Sequence, residues 1–173
     1  QKEKDCNFFK IYSSTIDYNE MNFEKFFDYK VCGKFIQGGR MQGLFFEGQK
    51  GLIFSLADNV SDKPTDDPQS ENSFFGKILF KSLNDNRVVI FSKGHRNPQG
   101  LLVINNKILS TEHGPRGGDE INIIKKDKNY GWPIITSGEE YFGGKIGEGS
   151  YSPKYESPLW TWIPSIAPSG MAF

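Results

Sequence analysis

Short runs rich in β-branched and aromatic residues follow one another along most of the chain, separated by Gly, Asn, Asp and Pro. From residue 77 onward these runs recur about every ten residues, and their lengths suit strands rather than helices. This rhythm is typical of an all-β fold such as a sandwich, a barrel or a propeller. It predicts strands at 77–82, 87–92, 100–104, 107–111 and 120–125.

Turn residues between the runs indicate that successive strands pair as hairpins. Asn105–Asn106 separates two runs, and asparagine tolerates the positive φ that a tight two-residue turn requires. An earlier hairpin is predicted around Glu47–Gly51, with strands at 44–46 and 52–56. A further turn is predicted at Leu83–Asn86.

The first part of the chain has a weaker pattern. Residues 7–12 alternate weakly and suit a strand. Residues 17–30 leave two alternatives open, because Phe23, Phe26 and Phe27 have helical spacing while their polar neighbours suit a loop.

Two segments read as loops. Residues 58–73 include two prolines and five acidic residues, which predicts a solvated surface loop. The acidic residues do not have the spacing of an EF-hand, so a calcium loop of that kind is not expected. Beyond residue 137 the chain is rich in Gly, Ser, Tyr and Pro, and loops are expected to dominate.

Charge and hydropathy exclude two classes of function. The 21 basic and 21 acidic side chains give a net charge of zero, which argues against a general nucleic-acid binder. No apolar run approaches the roughly 18–20 residues that cross a bilayer, so no membrane span is expected. The chain starts with Gln1 and has no signal peptide, so we expect a processed or excised piece of a longer protein.

The sequence contains two cysteines, Cys6 and Cys32. In an exported protein they could pair and tie the first elements together. The alternative is two free, partly buried thiols, and no sequence rule decides between the two.

Three blocks in the second half carry a resemblance to a known family. They are the sequences GHRNPQG at 94–100, TEHGPRGGDEIN at 111–122 and NYGWP at 129–133. In this order and spacing they closely resemble the glucose/sorbosone dehydrogenase family, and residues 163–170 also resemble a family segment. The similarity is strong over about the second half of the chain and weak over 38–92.

The resemblance implies a six-bladed β-propeller that binds pyrroloquinoline quinone (PQQ) and calcium near its axis. It also implies a periplasmic or secreted oxidoreductase that oxidises the anomeric carbon of aldose sugars by hydride transfer to the quinone. A blade needs about 40–50 residues, so residues 1–173 would form about three to four blades of one incomplete propeller domain. The rest of the parent chain, or another chain, would supply the missing blades and further PQQ-binding residues.

The resemblance also assigns roles to residues. Arg96 would be catalytic, binding the quinone oxygens and stabilising developing negative charge, because its guanidinium offers fixed, charged donors. Asn97 and Gln99 would contribute to cofactor binding.

Two calcium sites are implied. The carbonyl oxygens of Gly114 and Pro115 would ligate the calcium that bridges to PQQ, since carbonyls are suitable hard ligands. Glu120 and the carbonyl of Tyr130 match a second, structural calcium site of some relatives. Without the resemblance, Gly117–Asp119 would read as a flexible loop and Trp132 as a core residue.

One element of the family pattern is absent. The family's general base is a histidine just ahead of a Gly-Arg pair, and here that position falls on Ile36 or near Gly39, neither of which is a base. An acid further along is retained at Asp58. The histidines of this chain, His95 and His113, belong to other motifs. Two hypotheses follow: an aldose dehydrogenase seen as an inactive fragment, or a non-catalytic propeller that binds a sugar or protein partner.

Overall fold

The structure is a computed structural model that describes residues 6–59 and 65–173, and within them it is all-β. The described residues contain no helix, and therefore none that could cross a membrane. The all-β prediction is confirmed. The strands are β1 (Asn7–Ser13), β2 (Glu24–Gly33), β3 (Gly38–Phe46), β4 (Gln49–Leu56), β5 (Lys77–Ser82), β6 (Val88–Lys93), β7 (Pro98–Ile104), β8 (Lys107–Glu112), β9 (Asp119–Ile124), β10 (Lys128–Asn129) and β11 (Trp160–Trp162).

The strands form three sheets among the described residues. β1 and β2 pair alone, the second sheet has the order β10-β6-β5-β4-β3, and the third has the order β11-β9-β8-β7. Consecutive strands are antiparallel neighbours in the two larger sheets, as in the blades of a propeller. Three sheets lie at the lower end of the expected three to four blades, because long loops take up much of the chain.

The predicted hairpin turns are confirmed. Asn105 and Asn106 have φ values of 47° and 60°, and Glu47 and Gly48 have values of 47° and 75°. Two successive residues with positive φ give a turn whose twist matches that of the flanking strands. The turns therefore fix the registers β7–β8 and β3–β4.

Residues 17–30 differ from both predicted alternatives, because their second part belongs to strand β2. Phe27 and Tyr29 are buried and alternate with less buried neighbours, which is the two-residue period of a strand. Pairing with β1, where Ile11 lies opposite Phe27, overrides the helical spacing of the phenylalanines. The disulfide between Cys6 and Cys32 joins the two strands, so pairing is the alternative that is observed.

Two hydrophobic clusters hold the sheets together. Phe80 and Ile53 of the second sheet pack with Leu101 and Ile108 of the third. On its other face the second sheet packs against the first through a second cluster, made of Ile11, Phe27, Tyr29, Phe54, Leu56, Phe75 and Leu79. Each fully buried side chain of this kind contributes about 1.5–3 kcal/mol. The three sheets therefore stack face to face.

Part of the predicted surface loop at 58–73 is instead built into the interior, while residues 60–64 lie outside the described residues. Pro68 is fully buried, and Gln69 Nε2 donates to the carbonyl oxygen of Trp132 at 2.6 Å. The buried Lys77 donates to the carbonyl oxygens of Asp67 and Phe75, at 2.6 and 2.9 Å. Here the prediction of a solvated loop was wrong, because these long-range hydrogen bonds satisfy the polar groups.

Candidate functional site

A cleft of about 700 Å³ opens where several inter-strand loops meet at one side of the sheets. Its walls come from loops that precede β3 and that follow β4, β6 and β8, and from the C-terminal segment. The lining residues used below are Phe35, Gln37, Asp58, Arg96, Asn97, His113, Gly114, Pro115, Arg116, Asp119 and Tyr141.

Arg96 follows β6 and extends its guanidinium along the cleft wall. One terminal nitrogen donates to the carbonyl oxygens of His113 and Gly114, at 2.9 and 2.6 Å. The other lies 3.4 Å from the hydroxyl of Tyr141, and Cζ lies 5.4 Å from the centre of the Trp132 ring. Nε is buried and has no hydrogen-bond partner among the described residues. Two of the five guanidinium donors, Nε–H among them, thus have no acceptor among the described residues.

Asn97 and Gln99 form a chain of amides beside Arg96. The buried Asn97 donates from Nδ2 to Gln37 Oε1 at 2.7 Å, and its Oδ1 accepts from Gln99 Nε2 at 2.7 Å. Asn97 lines the cleft, whereas Gln99 does not. The structure therefore brings Arg96 and Asn97 together at the cleft and places Gln99 behind Asn97, as its support.

The Gly114–Pro115 turn forms the part of the wall next to the Arg96 guanidinium. A Cβ atom at Gly114 would lie 2.3 Å from the carbonyl oxygen of Gly117, so only glycine fits this close approach. The backbone N–H of Gly114 donates to Asp119 Oδ1 at 2.8 Å. Both predicted calcium-ligand residues of the first site thus lie at the cleft, in a turn fixed by a carboxylate.

Asp119 organises this wall, and the sequence interpretation missed it. Its carboxylate, only 1% exposed, accepts hydrogen bonds from the N–H groups of Gly114, Ile166 and Ala167 and from the Ser165 hydroxyl. Burial alone would raise the pKa of Asp119, but these bonds outweigh it and hold the pKa below its ordinary value. Its partners in 165–167 are too distant in sequence to be recognised from the Gly-Gly-Asp motif.

Glu120 and Tyr130 border a second, smaller cavity of about 20 Å³, together with Glu112. Burial raises the pKa of Glu120 to about 7, and the neighbouring Glu112 adds to the shift. A cavity of this size holds about one water or ion. The described residues contain no group of three acidic, histidine or cysteine side chains placed to hold a metal ion, so a metal here would also depend on carbonyl oxygens.

The two histidines have different environments. His95 is fully buried between Ser92 Oγ and Glu112 Oε1, both at 2.7 Å, and stacks on Tyr130 at 4.7 Å. It is a structural residue of the interior. His113 lines the cleft, and its Nε2 lies 2.8 Å from the carbonyl oxygen of Pro168, which can only accept.

No base occupies the positions where the family pattern expects one. Ile36 packs against the cluster between the first two sheets, while its neighbours Phe35 and Gln37 line the cleft. A Cβ at Gly39 would meet the Phe9 ring at 3.5 Å, on the outer part of the first sheet. The retained acid, Asp58, does line the cleft.

A comparison of the chain with models of known protein families leads to the same family as the fold and the cleft loops. The model of the glucose/sorbosone dehydrogenase family matches residues 19–173. The chain belongs to this family. The resemblance based on the three sequence blocks is therefore confirmed.

Similar family members include enzymes with assigned sugar substrates. The chain is 40% identical to the aldose sugar dehydrogenase YliI of Escherichia coli K12 over 153 residues, which are 79% of this chain and 40% of that protein. It is 43% identical to quinoprotein glucose dehydrogenase B of Acinetobacter calcoaceticus over 77 residues, which are 38% of this chain and 16% of that protein.

A solved family structure has the same fold. The crystal structure of a glucose dehydrogenase superposes with a TM-score of 0.81 and 31% identity, covering 95% of this chain and 52% of that one. This confirms the propeller fold. The chain spans about half the length of the solved structures it matches, and the matches to the curated relatives cover 40% of their length or less.

Proposed function

We propose that the protein is a PQQ- and calcium-dependent oxidoreductase that oxidises the anomeric carbon of aldose sugars. The observation that carries the proposal is the cleft in which Arg96, with its unpartnered Nε, meets Asn97 and the Gly114–Pro115 turn. When bound, PQQ supplies a quinone that accepts two electrons, and calcium polarises it. The names of the relatives, one an aldose sugar dehydrogenase and one a quinoprotein, support this assignment.

The charges of the cleft suit an anionic cofactor. Neither Arg96 nor Arg116 forms a salt bridge with a carboxylate of the described residues. The carboxylates of Asp58 and Asp119 each accept internal hydrogen bonds. Two guanidinium groups are therefore left to bind the carboxylates and quinone oxygens of PQQ, with Asn97 as a neutral donor and Gln99 supporting it.

Oxygen ligands at both predicted sites support a proposal of calcium there. The Gly114 carbonyl oxygen uses one lone pair for Arg96 and retains a second, and the Pro115 carbonyl adds another hard ligand. In the smaller cavity Asn122 Nδ2 donates to both the buried Glu112 and the partly buried Glu120, and a cation would offset the remaining repulsion between these carboxylates, with the Tyr130 carbonyl as a further ligand. We therefore propose a calcium beside PQQ and a second, structural calcium.

The expected position of the general base holds no side chain that can take the proton from the sugar hydroxyl. A general base contributes about 10²–10⁴ in rate, and neither Ile36 nor Gly39 can act as one. The packing of Ile36 into the core favours a second candidate function. In it, the propeller retains the cleft but binds a sugar or a protein partner without turnover.

The proposed location is the periplasm or the exterior of the cell. The Cys6–Cys32 disulfide supports it, because disulfides persist mainly in oxidising compartments. The remaining blades would come from the rest of the parent chain or from another chain.

Reconstitution of the full-length protein tests the two functions. It is loaded with PQQ and calcium, and dye reduction is measured with a panel of aldoses, with a calcium-chelated sample as the control. Calcium-dependent turnover supports the dehydrogenase. PQQ binding without turnover supports the non-catalytic propeller, and the loss of both binding and turnover eliminates the dehydrogenase.

A further inference from the structure

Asp58 joins Arg96, which lines the cleft, to Trp132, which lines the smaller cavity and is far from both in sequence. Its backbone N–H donates to the carbonyl oxygen of Arg96 at 2.7 Å. Its carboxylate accepts from Trp132 Nε1 at 2.8 Å and from the Thr65 hydroxyl at 2.7 Å. With only 3% of its surface exposed, Asp58 holds the main chain of Arg96 on one side and the Trp132 indole on the other.

Trp132 is fixed at three points. Its backbone N–H donates to the carbonyl oxygen of Gly94 at 3.0 Å, its own carbonyl oxygen accepts from Gln69 Nε2 at 2.6 Å, and its indole N–H donates to Asp58. The side-chain bond to Asp58 is the one that sets the rotation of the ring. Trp132 is therefore more than the core residue that its sequence suggests.

The Trp132 ring in turn supports the guanidinium of Arg96. The other contacts of that side chain are two carbonyl oxygens and a long 3.4 Å approach to Tyr141, all of them neutral. A guanidinium over an indole face gains about 0.5–2 kcal/mol, the larger values applying where water is excluded. The ring thus sets the plane in which Arg96 offers its donors to the cleft.

We propose that Asp58 is a positioning residue for Arg96, which it orients by locking the Trp132 ring and holding the Arg96 main chain. A buried carboxylate is costly in this place. Burial raises the pKa of Asp58, and its hydrogen bonds with Trp132 and Thr65 offset only part of that effect. What Arg96 then binds rests on the proposed function, but the positioning itself does not.

The reactivity of Arg96 toward phenylglyoxal tests the proposal without any cofactor. The full-length protein is treated with the reagent, and modification at each arginine is followed by peptide mass spectrometry. Asp58→Ala is expected to raise the rate at Arg96 about fivefold, as loss of a cation–π contact would allow. Asp58→Asn keeps an acceptor for the indole and is expected to remain near wild type, as is Thr65→Val.

Arg87 is the internal reference. It lies in the turn between β5 and β6, outside the cleft, and pairs with Glu47. An unchanged Arg96 rate in Asp58→Ala, or an equal rise in Asp58→Asn, overturns the positioning role. Arg87 is exposed and reacts in the folded protein, so if its rate rises as much as that of Arg96 in Asp58→Ala, that variant has unfolded and Trp132→Phe decides. It keeps a ring but loses the indole N–H, and only a rise at Arg96 supports the proposal.

A titration with PQQ and calcium, followed by absorbance, separates this inference from the proposed function. Affinity should fall about tenfold in Asp58→Ala and recover in Asp58→Asn. If the wild-type protein binds no PQQ, the proposed cofactor is wrong, and the Arg96 reactivity still decides the positioning role.

Discussion

Arg96 makes the contacts on which the candidate site depends, and its substitution is the first prediction. One guanidinium nitrogen donates to both His113 and Gly114, and lysine, which keeps the charge, lacks the further donors and the planar group that lies over the Trp132 ring. We expect Arg96→Lys to weaken PQQ binding by at least about tenfold, measured by titration of the full-length protein with calcium present. Arg87→Lys, outside the cleft, is the matched control and should bind as wild type does.

Lys77 gives a prediction about pH. Burial lowers its pKa to about 8 from the ordinary value of 10.5. Between these values the unfolded chain holds a proton that the folded chain has released, so the free energy of unfolding rises with pH through this contribution. The stability of the wild type relative to Lys77→Met should therefore increase from about pH 8 to about pH 10, measured by urea unfolding.

The control for this experiment is Lys50→Met, at an exposed position of β4. The difference between the wild type and Lys50→Met should stay flat over the same range. A flat difference for Lys77→Met as well would mean that Lys77 is already solvated in the folded protein.

At the scale of single residues, the sequence blocks identified the cleft in part. Arg96, Asn97, Gly114 and Pro115 do meet there, because they lie in short loops between consecutive strands, β6 to β7 and β8 to β9. Asp58 could be located only as a retained acid, since its bond to Trp132 joins residues 74 positions apart. Asp119 was missed for the same reason, as it binds a segment more than 40 residues further along.

Among the elements, the β7–β8 hairpin offers a direct test of turn geometry. Asn106 has φ of 60° and is exposed, so its side chain matters mainly through the backbone conformation it allows. Asn106→Ala should lower the free energy of unfolding by about 1 kcal/mol, whereas Asn106→Gly should be close to neutral. Denaturant unfolding of both variants checks this, and equal losses would show that the side chain itself contributes.

Elements with strong local signals were predictable, and those defined by distant partners were not. β5 to β9 alternate with recognisable turns, and the predicted bounds lie within about two residues of the observed ones. β2 was ambiguous because its identity comes from pairing with β1. The short strands β10 and β11 have too few residues for a pattern of their own and exist through contacts with β6 and β9.

For the whole molecule, the prediction is that the 173-residue chain alone has no aldose dehydrogenase activity. It covers 52% of the glucose dehydrogenase structure it matches, and apolar side chains such as Leu159, Trp160 and Ile163 are more than half exposed. The isolated chain, supplied with PQQ and calcium, should reduce no dye with any aldose that the full-length protein oxidises. Clear turnover by the isolated chain would refute this.

The parallel pairing of β10 with β6 has a consequence for how such proteins can be recombined. β10 follows β7 to β9 of the third sheet along the chain, yet it covers the β6 edge of the second sheet, with Lys128 opposite Ser92 and Asn129 opposite Lys93. Uncovered edges invite pairing with other chains. The sequence segments that form the second and third sheets therefore overlap. A chimera that exchanges the second sheet must also take residues 128–129, which cover its edge.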